Sequence, residues 1–158
     1  MNFNKVYVIQ FWRSANFDPK IPLHWEVAIE TSPKVGERRF GRVFNIVGFP
    51  GNFAFEMLDN VEFTKPPPFA GLMTVGIIKS NDIDKMTNVI QKVDIVEDDH
   101  WNCQNWTHAV LRKCKAEGLG IFYEGSFKHL QSMMRESWNR WDLGNEEPYD
   151  PRNETSSS

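Results

Sequence analysis

The segment Asp98-Asp99-His100-Trp101-Asn102-Cys103-Gln104-Asn105-Trp106-Thr107-His108 places a cysteine where a helix is expected to begin. Asn102 is a cap residue, and the fifteen or so positions after it run without a breaker to Gly118 and Gly120. A thiol on the first turn of a helix faces unpaired amide N–H groups and the positive end of the helix dipole, and both favour the thiolate. Nucleophilic chemistry needs that thiolate, a histidine to hold and return the proton, and a third polar group to fix the ring.

Four histidines are candidates for the partner. In Leu23-His24-Trp25-Glu26-Val27-Ala28-Ile29-Glu30 the alternation puts Trp25, Val27 and Ile29 on one face of a strand, and His24, Glu26, Ala28 and Glu30 on the other. Asn45, on the next strand, is placed diagonally across a hairpin from His24, and Glu26 lies two residues on along the same face; either can orient the ring. His100 sits in the loop before the cysteine helix, where approach to Cys103 is awkward. His108 is five positions on and points away, and His129 belongs to a separate helix with no partner in the pattern. Cysteine is also among the most buried residue types, and this is the reading for Cys114, mid-helix among apolar neighbours. The two cysteines lie about three turns apart on one helix and cannot pair with each other.

Around these residues the chain reads as one α+β domain over residues 1–141, a small antiparallel sheet packed against helices, with a disordered tail over 142–158. Strands are expected near 5–12, 23–30, 42–48 and 72–78, with a short one near 53–58. Helices are expected after the Ser80-Asn81-Asp82 caps, over 103–117 and over 126–141. Pro66-Pro67-Pro68 excludes a helix interior or a central strand and leaves a connection or a lid. The tail contains two prolines and ends in Ser-Ser-Ser.

Composition limits the function. At 158 residues, 41% hydrophobic and 13% aromatic, the chain can bury a core. A net charge of −3 and the lack of a basic run longer than Glu37-Arg38-Arg39 argue against nucleic acid or an anionic membrane as partner. The first thirteen residues lack the apolar run of a signal peptide, so a cytoplasmic address with reduced thiols is expected. There is no phosphate loop, dinucleotide fingerprint or serine elbow, and neither a cofactor nor a metal is expected; Glu97-Asp98-Asp99 reads as a solvated turn.

His24-Trp25 on a strand, the hairpin through Gly41-Arg42-Val43-Phe44-Asn45, and Asn102-Cys103-Gln104-Asn105-Trp106 opening a helix resemble a circularly permuted papain-like fold. The NlpC-type, PPPDE-type and lecithin:retinol acyltransferase-like proteins share that arrangement, in which the histidine strand precedes the cysteine helix. The His-Trp and Cys-x-x-Trp pairs are also similar to those of small, largely uncharacterised fungal proteins, some tied to secondary metabolism. The resemblance covers about residues 5–123 and implies Cys103 as nucleophile, His24 as base and Asn45 as orienter. Acyltransferase-like members carry a second histidine on the following strand, where this chain has Asn45.

Three functions remain open from sequence. The first is cysteine-dependent acyl transfer (hydrolysis, transfer or cyclisation) on an amide, ester or thioester of a small molecule or short peptide. Its oxyanion would be held by the Cys103 amide with Gln10 or Gln104. The second is a non-catalytic binding module with an apolar pocket around Trp25, Trp101 and Trp106. The third is a lyase or cyclase using His24 and Glu26 for proton transfer without a covalent step.

Overall fold

The computed structural model describes residues 2–13, 22–64 and 68–154. Five antiparallel strands form one sheet: β1 (Phe3–Phe11), β2 (His24–Glu30), β3 (Phe40–Val47), β4 (Ala54–Glu62) and β5 (Phe69–Lys79). Their spatial order is β4-β3-β2-β1-β5. Three helices follow, α1 (Ile83–Gln91), α2 (Cys103–Ala116) and α3 (Phe127–Asp142). The protein is thus α+β, with all five strands preceding all three helices in the chain.

Alternation along the strands creates the two faces. Val6, Val8, Trp25, Val27, Ile29, Phe44, Ile46, Met73 and Val75 form one core with Met86 and Ile90 of α1, Trp106, Val110, Leu111 and Cys114 of α2, and Leu130 and Met134 of α3. Tyr7, Ile9, Ala28, Val43, Phe63, Phe69 and Leu72 form a smaller cluster on the opposite face. β1 is buried on both faces, which explains its near-continuous apolar run.

α2 lies on β2 and β3. Trp106, Thr107, Val110, Leu111 and Cys114 are buried, and fully burying side chains such as Val110 and Leu111 contributes about 1.5–3 kcal/mol each. The helix ends where Gly118 takes φ 72°, and Gly120 then passes against β5. A side-chain carbon at Gly120 would sit 2.0 Å from the Ile77 carbonyl oxygen, so only glycine fits this approach.

The segment after Asp142 departs from the expected disordered tail. Tyr149 is 7% exposed and bonds to β5 in parallel register with Met73, its amide donating to Leu72 O and its carbonyl accepting from Thr74 N. The Arg140 guanidinium lies 4.6 Å from the Tyr149 ring centroid, and Arg152 lies 3.8 Å from that of Phe122. The reason is the sheet edge. β5 has β1 on one side only; on its other edge residues 120–123 bond Val75 and Ile77, and Tyr149 takes the Leu72 carbonyl and the Thr74 amide further along. Residues 155–158, and Pro66 and Pro67 of the proline run, lie outside the described residues.

If this docking is part of the fold, Tyr149→Ala should lower the unfolding free energy by about 3 kcal/mol, as for other buried aromatic truncations. Urea unfolding followed by circular dichroism reads this, and a loss under about 0.5 kcal/mol would mean that the segment contributes nothing.

Candidate functional site

Cys103 occupies the first position of α2. Asn102 caps the helix, its Oδ1 accepting the Gln104 amide at 2.9 Å, while Asn105 Oδ1 accepts the Asn102 amide at 3.0 Å. This reciprocal cap fixes the first turn and with it the sulfur. The Cys103 side chain turns toward the start of β2, where Trp25 N donates to Sγ at 3.4 Å. The residue is only 1% exposed.

His24 opens β2 beside it. Nε2 donates to Glu26 Oε2 at 2.9 Å, leaving Nδ1 for the hydrogen bond with Cys103. Burial opposes charge on the ring, but the hydrogen bonds and charges of Cys103 and Glu26 outweigh it and raise the His24 pKa to about 9. Burial likewise opposes the thiolate, yet the His24 hydrogen bond and charge, the Trp25 amide and the Arg13 charge bring the Cys103 pKa below its ordinary value. Both shifts run in the direction that favours thiolate and imidazolium over the neutral pair. Cys114 has no such partners, and burial pushes its thiol up to about 12.

The third group on the sulfur is Arg13, just past the end of β1. Its Nη2 lies 3.0 Å from Cys103 Sγ and 3.5 Å from His24 Nδ1. Sequence reasoning missed this residue, although a signal existed. The antiparallel register pairs Phe11 with His24, so whatever follows Phe11 emerges beside the residue that His24 serves.

Of the two proposed orienters, Glu26 holds the ring. Asn45 is buried on β3 and donates from Nδ2 to Glu56 on β4 at 3.1 Å, its register partner there. It does not reach His24, because a cross-strand neighbour on β4 is closer than a diagonal one at the end of β2. Gln10 and Gln104, proposed for the oxyanion, turn their amide nitrogens to backbone carbonyls, Gln10 to Met134 O at 2.7 Å and Gln104 to Leu23 O at 3.0 Å. Trp106 is fully buried against Phe55, and Trp101 packs edge-on against Phe53, so both belong to packing rather than to a pocket with Trp25. His108 donates to Gly125 O and His129 stacks on Tyr123, both away from the sulfur.

A cleft of about 340 Å³ flanks the pair. Its walls include Trp25 and Leu23 on either side of His24, and Asn102 and Gln104 on either side of Cys103, with His100, Phe127 and Arg135 further out. Cys103 and His24 themselves are not among the lining residues. Five side-chain amides line the cleft (Gln10, Asn102, Gln104, Asn105 and Gln131) and no carboxylate does. Such a lining offers donors and acceptors to a polar, uncharged or anionic ligand.

Chemically, the arrangement sets a thiol beside an imidazole whose far nitrogen is fixed by a carboxylate, the three groups that nucleophilic catalysis would require. Iodoacetamide alkylation of Cys103, in a Cys114→Ser background, should titrate well below the roughly 8.5 of a free thiol. His24→Ala should move that titration upward, since it removes the hydrogen bond and charge that most oppose burial. Glu26→Gln removes support for the imidazolium, so the ion pair should collapse at a pH below about 9. An ordinary thiol indifferent to His24 would show that no such pair exists.

The family model of a family of unknown function (DUF6540) matches residues 6–119, a span that includes Arg13, His24, Glu26 and Cys103 and stops before α3. No curated protein and no solved structure matches the chain. With more than half its length matched, the chain belongs to the DUF6540 family.

Proposed function

We propose that the protein is a cysteine-dependent acyl-transfer enzyme built on a circularly permuted papain-like scaffold, acting on an amide, ester or thioester of a small molecule or short peptide. The observation that carries this reading is the buried Cys103 sulfur at the start of α2 beside His24, with Glu26 on the far nitrogen of His24 and pKa shifts that favour the charged pair. The order of the chain supports the scaffold, because the histidine strand β2 comes before the cysteine helix α2.

In the reaction, a lone pair of Cys103 Sγ forms a bond to the acyl carbon, and the carbonyl π pair moves onto oxygen. Collapse of that oxyanion restores the carbonyl and expels the leaving group, which takes the proton from His24 Nδ1. A thioester remains on Cys103. Neutral His24 then accepts a proton from water or another acceptor as that nucleophile attacks, and the thiolate leaves with the pair restored. The steps draw on no cofactor. A cytoplasmic setting fits them, since both free thiols persist in a reducing compartment. No helix among the described residues is long and apolar enough to cross a membrane.

A second reading rests on exposure. The side chains of His24 and Glu26 are 20% and 17% exposed, while Cys103 is at 1%. Proton transfer by His24 and Glu26 alone would need no access to the sulfur.

The two readings separate in one experiment. Incubation with p-nitrophenyl acetate followed by intact and peptide mass spectrometry should show an acetyl adduct on Cys103. Cys103→Ala should lower p-nitrophenol release by roughly 10⁴-fold or to background, as removal of a nucleophile does elsewhere. Turnover that persists in Cys103→Ala but is lost in His24→Ala would instead favour proton transfer without a covalent step.

A further inference from the structure

A nucleophile with a charge-fixing histidine still needs a donor for the oxygen that becomes negative. Removing one such donor typically costs 10²- to 10³-fold in rate, so its identity matters as much as the base. The two glutamines nearest the site both direct their amide nitrogens to backbone carbonyls. The Cys103 amide, at the first helical position, has no carbonyl within its own helix to bond and can supply one donor.

Arg13 is placed for the other. Its Nη2 contacts the sulfur at 3.0 Å, whereas the nearby carboxylate of Glu26 is engaged by the far nitrogen of His24. The geometry points to Arg13 as the catalytic residue that holds the oxyanion of the acylation step, an inference that rests on the acyl-transfer reading. When Sγ bonds to an acyl carbon, the charge leaves sulfur and appears on an oxygen two bonds away. A guanidinium already hydrogen-bonded to that sulfur follows the charge with a small side-chain movement. Its donors form a fixed fork with more than one N–H to offer, so one can reach the oxygen as another leaves the sulfur. The same movement uncovers Sγ for attack.

Alkylation and acylation separate this role from mere support of the thiolate. Iodoacetamide transfers a carbon to sulfur without forming an oxyanion. p-Nitrophenyl acetate forms the S–C bond, moves the carbonyl pair to oxygen, and on collapse releases p-nitrophenolate. Both rates are measured for Cys103 against pH in the Cys114→Ser chain, in Arg13→Gln and in Arg13→Lys, and each is divided by the thiolate fraction from the alkylation titration. Arg13→Gln should leave alkylation per thiolate equal or faster, since the group covering the sulfur is lost, and slow acylation per thiolate by about 10²- to 10³-fold. Arg13→Lys, which keeps the charge but loses the fork, should recover part of the loss.

Parallel falls in both reactions, or none in either, would overturn the assignment while leaving Cys103 as nucleophile. A parent chain that alkylates readily but gains no acetyl group on Cys103 would overturn the acyl-transfer reading and the assignment with it. Arg13 is exposed at the end of β1, and matching circular dichroism and melting of the variants establish that the comparison is between folded proteins.

Discussion

A sulfur almost fully withdrawn from water, yet with its pKa held below the ordinary value, is the constraint around which the rest of this structure is arranged. Burial alone would drive Cys103 to the neutral thiol, as it does Cys114 eleven residues along the same helix. Three donors reverse the outcome: the imidazole of His24, the amide of Trp25 and the guanidinium of Arg13. They come from one end of a single strand pair. β1 ends at Phe11 opposite His24, so Arg13 and His24 arrive at one corner of the sheet by register alone. What remains is to bring the helix to that corner. Trp106, Val110 and Leu111, all buried, anchor α2 on β2 and β3, and the Asn102–Asn105 cap sets its first turn.

The opposite face of the sheet shows how the same fold handles buried charge without chemistry. Arg39 bonds both oxygens of Glu30 at 3.1 and 3.2 Å, and Tyr7 donates to Glu30 at 2.7 Å. Every charge there has a permanent opposite, and burial together with the Glu30 bond pushes the Tyr7 hydroxyl far above its ordinary value. Such a cluster is closed, and disturbing it leaves an unpaired buried charge. At the Cys103 corner the charges also balance, thiolate and Glu26 against His24 and Arg13. Three of these four, His24, Glu26 and Arg13, are half-buried or exposed.

The sequence makes the elements and the central pair readable for a physical reason. Period-two alternation on Trp25, Val27 and Ile29 fixes which way His24 and Glu26 face, and a cap residue before a breaker-free run fixes where Cys103 sits. These are local signals. The departures come from long-range choices that local patterns do not carry. Asn45 has a donor to give and two candidate acceptors, and the pairing of β3 with β4, invisible in either strand alone, assigns it to Glu56. Trp101 and Trp106 flank the cysteine in sequence, but helix packing sends Trp106 into the core and the loop before α2 lays the half-buried Trp101 against it. Tyr149 sits in a polar, proline-containing stretch and docks on the part of the outer β5 edge that residues 120–123 leave unpaired. Arg13 lies between a readable strand and residues outside the described structure, and only the strand register reveals its neighbour.

Burial and reactivity pull against each other at this corner, and Arg13 is where they are reconciled. A thiolate open to water would need little help to ionise but would be exposed to any oxidant or electrophile. A cysteine sealed among apolar groups would be protected but protonated, a neutral thiol. A guanidinium on a strand end offers a third state, since it is charged enough to stabilise the sulfur, long enough to swing aside, and weakly hydrated enough to sit against a buried atom. The thiolate is then most accessible when a ligand supplies an alternative acceptor for the arginine. In the acyl-transfer reading proposed above, a developing oxyanion would be one such acceptor, and the group that covers the sulfur at rest would be released by the reaction it permits.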